Sequence, residues 1–179
     1  DKDRTVIGNP FPKATWGISN TFRWKGFDLY FLIQGVSGLD VFNGDGYYTE
    51  SKKFNRNYVK DRWISAEYPG DGRTPTVGSA GISWEFTDYM IEDGSFVALR
   101  DVVLGYTFDK KKLKKAGLNS LRLYASGQNL LYFWGKSYRG INPEARVTTG
   151  SYSSPLVNGY QRGGFPIQST VNIGFELNF

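Results

Sequence analysis

Paired carboxylates are the most reactive combination that this sequence offers, as Glu85 with Asp88 and Glu92 with Asp93. Two carboxyl groups held at the right separation can cleave a glycosidic bond, one as acid and the other as base or nucleophile. Both pairs lie in a polar stretch, where neighbouring acids are ordinarily just solvated, so the chain is read as a non-enzyme. Histidine and cysteine are both absent, which removes most hydrolase triads, most zinc chemistry and any disulfide framework. Asn43-Gly44-Asp45-Gly46 has the composition of a calcium loop but not the D-x-[DN]-x-[DN]-G spacing. It is read as a turn, and no metal or cofactor is assigned. The net charge is +5, and much of it falls in the run Lys110 to Lys115. That run reads as a solvated turn, and no nucleic-acid partner is assigned.

The elements that must position these residues are strands. From Phe165 to Phe179 the odd positions are Phe165, Ile167, Ser169, Val171, Ile173, Phe175, Leu177 and Phe179. The even positions from Gln168 are Gln168, Thr170, Asn172, Gly174, Glu176 and Asn178. This is the period of a strand with two unlike faces, and it outlasts the five or six residues usual in soluble proteins. About ten tilted residues cross a bilayer as a β-strand. The same alternation marks 14–24, 27–36 and 120–133. In 95–108 the phase breaks at Arg100 and Asp101, and a bulge is expected there to keep both charges off an apolar face.

The fold expected is therefore an all-β transmembrane antiparallel barrel, of which these are the last five strands. Lys25-Gly26 and a short helical turn within 109–119 join strands at one end. Long loops over 37–94 and 134–164 join them at the other. Short periplasmic turns and long extracellular loops are the rule for such barrels. Trp24, Phe27, Phe108 and Phe179 then fall at the inner rim, and Trp16, Phe133, Trp134 and Phe165 at the outer one, as two aromatic girdles. Five strands cannot close, since single-chain bacterial barrels have even strand numbers of at least eight. With its opening Asp1-Lys2-Asp3-Arg4, the chain reads as a piece of something longer. On the polar face, Glu176 is expected to meet an inward arginine from 120–133.

The segments DRTVIGNPFPKATWGISNTFRWKGFDLYFLIQG, EDGSFVALRDVVLGYTF and LRLYASGQNLLYFWGKSYRGINPE, with the final alternation ending in Phe, resemble the C-terminal part of SusC/RagA-type TonB-dependent outer-membrane transporters. The resemblance covers essentially the whole chain in order. One departure is Asn142 before Pro143-Glu144, where the family leads one to expect Asp. The resemblance implies a 22-stranded barrel in the outer membrane of a Gram-negative bacterium of the Bacteroidota, importing glycans or peptides. It further implies an N-terminal plug and a TonB-contacting segment upstream of this chain, and a SusD-like surface lipoprotein that lids the barrel. Proton motive force transmitted through TonB would drive uptake.

Under that resemblance, cargo would meet aromatic rings and hydrogen-bonding groups on the external loops. The candidates are Trp84, Tyr89, Trp134, Tyr138 and Arg139; the alternative is that they pack loop against loop or sit in the girdle. Arg62-Trp63 matches a recurring family segment that would order its loop or meet the lipoprotein. Phe179 is the residue that barrel-assembly machinery would read. Two other classes remain: a passive porin or surface adhesin needing no TonB, and a soluble carbohydrate-binding sandwich. Strand length, girdles and the aromatic terminus disfavour the sandwich.

Overall fold

The computed structural model describes residues 4–44, 62–72, 74, 76, 88–114, 117–145, 159–161 and 164–179. In chain order its strands are β1 (Ala14–Trp24), β2 (Phe27–Ser37), β3 (Asp40–Asn43), β4 (Ile91–Asp93), β5 (Phe96–Thr107), β6 (Ser120–Trp134), β7 (Tyr160–Gln161) and β8 (Thr170–Asn178). A 3-10 helix spans Asp88–Met90, and one α-helical turn spans Lys110–Leu113. They fall into two compact units. The sheet unit holds 15–36, 96–133 and 167–179; the loop unit holds 1–14, 37–95 and 134–166.

The sheet unit is a five-stranded sheet in the order β1-β2-β5-β6-β8. β2 runs antiparallel to β5, and β6 antiparallel to β8. The turn from β1 to β2 needs two residues at positive φ, the I′ geometry that suits the strand twist. Lys25 adopts φ 46° and Gly26 φ 89°. A Cβ on Gly26 would stand 2.8 Å from the Thr107 carbonyl oxygen, so glycine is required there on both counts.

Register sorts the side chains by face. Opposite β8, Leu177 pairs with Leu121, Phe175 with Leu123 and Ile173 with Ala125; between them Glu176 pairs with Arg122 and Gly174 with Tyr124. Between β2 and β5 the register shifts at Leu32/Ile33: Leu32 pairs with Asp101, but Ile33 pairs with Leu99. Arg100 is the extra residue, at the place where the broken alternation predicts a bulge. Asp101 thereby shares a face with Leu32 and, four residues back, Asp28, while Leu29, Phe31 and Ile33 keep apolar partners on the other. That apolar face stays uncovered: Phe22 is 55% exposed, Phe175 68% and Ile173 87%. A soluble sandwich would bury it.

The terminal strand is shorter than the alternation predicts. Its ladder with β6 begins at Gln128↔Thr170 and does not extend over 165–169. Two local causes act there. Pro166 has no N–H to give a ladder, and Asn129 turns out of strand geometry at φ 51°. A side chain takes over, as the Ser169 hydroxyl donates to the Asn129 carbonyl at 2.7 Å.

The loop unit holds the segments 37–94 and 134–164. It contains a second sheet in the order β4-β3-β7, antiparallel between β3 and β4 and parallel between β3 and β7. Strands of two to four residues are too short to show alternation, and the parallel pair joins residues far apart in sequence. Val41 and Met90 are each 1% exposed at its centre.

Candidate functional site

The polar face of the sheet unit is organised by one arginine. Arg122 donates to Glu176 across the β6–β8 pair at 2.9 Å, the partnership expected from alternation. It also reaches Asp28 on β2 through two bonds, Nε at 3.1 Å and Nη2 at 2.6 Å. β5 lies between β2 and β6, so this ion pair must pass over a residue of β5. That residue is Gly105, the partner of Asp28. A Cβ there would lie 2.6 Å from Asp28 Oδ1 and 2.7 Å from two nitrogens of Arg122. The missing side chain is what lets a charge-assisted, two-pronged pair bridge three strands. Gly174 repeats the device, since a Cβ there would meet the Tyr124 ring at 2.5 Å. The Arg122 guanidinium lies 5.3 Å from the same ring.

Further along this face, the bulged Arg100 donates to Gln34 at 2.7 Å and to Asn129 at 3.2 Å. The Phe96 and Tyr132 rings lie 5.5 and 5.3 Å from its guanidinium carbon. Charges on this face are thus held by partners on neighbouring strands, which suits a wall that meets water or protein.

In the loop unit the centre is Glu92, 4% exposed. It accepts from Asn43 Nδ2 at 2.9 Å and from the backbone N–H and Nε of Arg139, each at 2.8 Å. Arg139 also donates to the Tyr89 hydroxyl at 3.1 Å and the Tyr89 carbonyl at 3.0 Å, with its guanidinium over the ring at 4.7 Å. Beside it the Tyr138 hydroxyl donates to Gln161 Oε1 at 2.7 Å, and Gln161 Nε2 donates to the Pro143 carbonyl at 2.7 Å. Asn142 accepts from Glu144 N and donates to the Phe165 carbonyl, both at 2.9 Å. An aspartate there could make the first bond but not the second.

Three of the five cargo-contact candidates therefore sit in internal hydrogen-bond networks, Tyr89 and Arg139 with Glu92, and Tyr138 with Gln161. Tyr138 is 5% exposed. The polar groups of Arg139 that would grip a ligand are already engaged by Glu92 and Tyr89. Trp134 is 41% exposed, with its ring edge-on to Tyr138 at 6.1 Å. Trp84 lies outside the described residues, as does Glu85. Glu92 and Asp93 are neighbours on β4 and point to opposite sides; Asp93 accepts from Ser95 N. They do not form an acid–base pair. Asn43 donates to Glu92, and Asp45-Gly46 lies outside the described residues. Arg62 bridges to Thr74, Trp63 N donates to the Thr74 carbonyl at 2.8 Å, and the Trp63 side chain is 44% exposed. Phe179 is 80% exposed.

No family model matches the chain. Among curated proteins it is 33% identical over 180 residues to TonB-dependent receptor P3 of Formosa agariphila, covering 99% of this chain and 17% of that protein. It is 24% identical over 183 residues to TonB-dependent receptor SusC of Bacteroides thetaiotaomicron, covering 99% of this chain and 16% of that one. Among solved structures, the RagAB peptide transporter aligns with a TM-score of 0.70 at 21% identity, over 97% of this chain and 18% of that one. The chain thus spans less than a fifth of the length of the proteins it matches. Sequence similarity over 99% of its length and likeness of fold agree: the chain is similar to a segment of SusC-like TonB-dependent receptors.

Proposed function

We propose that this segment is part of the wall of an outer-membrane importer that takes up glycans or peptides, energised through TonB and paired with a SusD-like surface lipoprotein. The observation that carries the reading is the sheet's two unlike faces. One is a band of uncovered apolar side chains, such as Ile173 and Phe175; the other carries the Asp28–Arg122–Glu176 charges. The outer strands β1 and β8 each have one partner within the sheet, and a bilayer tolerates no open sheet edge. Further strands on both sides would complete a barrel, 22-stranded by resemblance, with these as its last five. The plug and the TonB-binding segment would lie in the upstream part. Segments 37–94 and 134–164 would then be external, with Trp84 and Trp134 as cargo contacts and Arg62-Trp63 as the contact with the lipoprotein. Of the proteins named above, the RagAB transporter has peptides in its name, while the names of P3 and SusC state no cargo.

The test is purification of the intact protein from its native outer membrane in mild detergent, followed by mass spectrometry of every co-purifying polypeptide. A plug-bearing upstream part and a lipoprotein are expected. Barrel strands with no plug would favour the passive porin or adhesin. Phe179 is the proposed assembly signal. Phe179→Ala is expected to lower the amount of heat-modifiable, membrane-inserted barrel several-fold; unchanged assembly would refute that role.

A further inference from the structure

Five lysines crowd residues 110–115, and nothing in the transport reading uses them. Like charges so close together repel one another, yet the fold presents Lys110, Lys111 and Lys114 on a formed turn. Asp109 caps the turn by accepting from Lys111 N at 2.9 Å, and Gly117 closes it at φ 72°. Leu113 is 8% exposed and anchors the turn, while Lys110, Lys111 and Lys114 stand exposed. Phe108 N donates to the Leu121 carbonyl and Asn119 N to the Asn178 carbonyl, so both flanks of the turn are tied to strand ends.

Register places this turn at the same end of the sheet as Lys25-Gly26, because Phe27 pairs with Tyr106 and Ser120 with Asn178. The aromatic rim lies there too. Phe27 and Tyr106 ring centroids are 4.6 Å apart, and those of Tyr106 and Phe108 4.9 Å. Trp24 is 68% exposed, and Lys25 Nζ lies 4.9 Å from its ring centroid. The described acids at this end are engaged elsewhere: Asp28 and Glu176 by Arg122, and Asp109 by the turn it caps. An apolar band bounded by aromatics and then by cations matches the order of chemistries met on leaving a bilayer through its phosphates.

We propose that Lys110, Lys111 and Lys114, with Lys25, form a rim that binds the phosphates of anionic phospholipids in the leaflet at the short-turn end of the barrel. The proposal rests on the membrane reading above, and the experiment keeps the two apart. The intact transporter is reconstituted in nanodiscs of phosphatidylethanolamine alone or mixed with phosphatidylglycerol, after its membrane insertion has been checked. Lipid retained on mild delipidation is counted by native mass spectrometry. The wild type is expected to retain phosphatidylglycerol preferentially. Lys110→Gln/Lys111→Gln/Lys114→Gln is expected to reduce that preference about tenfold, and the corresponding Arg triple to keep it. Raising salt should strip phosphatidylglycerol from the wild type, because the attraction is screened, and leave phosphatidylethanolamine in place. Equal preference in wild type and Gln variant would overturn the proposal, as would retention that is indifferent to salt. Failure of the wild type to insert would instead count against the barrel.

Discussion

Glu92→Ala is expected to destabilise the loop unit by about 3 kcal/mol, in the range for breaking a buried ion pair. The carboxylate is 4% exposed and is met by three donors from two residues. Removing it takes the carboxylate from the Arg139 guanidinium, whose side chain is 19% exposed, and one acceptor from the Asn43 amide, 1% exposed. A buried charge that loses its counter-charge costs more than the pair was worth. The loss should be local, since β3, β4 and the 134–145 segment meet at this carboxylate. Hydrogen exchange and limited proteolysis of the intact protein should show 37–44, 88–95 and 134–145 opening together. The sheet strands should keep their protection. Glu92→Gln should recover part of the loss, because its amide oxygen still accepts from Asn43 or from the Arg139 backbone. Unchanged protection in Glu92→Ala would refute the hub.

Gly105→Val is expected to have the second largest effect, about 2 kcal/mol of barrel stability. Its first added carbon would stand within 2.7 Å of both Asp28 and Arg122, so the pair must separate or β5 must shift. Both charged side chains are about one-quarter exposed, 24% for Asp28 and 25% for Arg122. Water therefore compensates part of the loss, and the cost stays below that of a fully buried pair. The readout is the temperature of heat-modifiability of the inserted barrel. A double-mutant cycle with Arg122→Ala isolates the cause: if Gly105 acts by making room for the ion pair, Gly105→Ala should cost far less once Arg122 is gone. Additive losses would mean that glycine serves the β5 backbone instead.

These two positions also show where the sequence was informative. Long strands were legible because alternation over ten residues is a strong periodic signal, and two faces with unlike solvents make it stronger. The bulge at Arg100 was legible for the same reason, since two adjacent charges cannot both face the polar side without one. Arg122–Glu176 followed from alternation and adjacency. Asp28–Arg122 did not, because it skips a strand. The signal was Gly105, a residue without a side chain inside a run of large apolar ones, whose role depends on which neighbours flank it. The loop unit was illegible for a different reason. β3 is four residues long and β7 two, and Glu92, Arg139 and Asn43 come from three distant segments with no shared period. Tyr89, Tyr138 and Arg139 are cargo-contact candidates by the sequence. In the fold Arg139 is directed to Glu92 and Tyr89, and Tyr138 to Gln161.

In the barrel proposed above, the odd positions of β8 face lipid while the even ones face the interior. The sequence contains no cysteine, so single cysteines introduced into this segment report without background from it. Val171→Cys, Ile173→Cys and Phe175→Cys are to be compared with Asn172→Cys, Gly174→Cys and Glu176→Cys in the intact transporter in bilayers, after any native cysteines elsewhere have been replaced. Each is labelled with an environment-sensitive fluorophore under denaturing conditions, refolded, and exposed to nitroxide-bearing lipid or to an aqueous quencher. The odd set is expected to be quenched from the lipid and the even set to be spared. Quenching that does not alternate along the strand, or an odd set reached only from water, would contradict it.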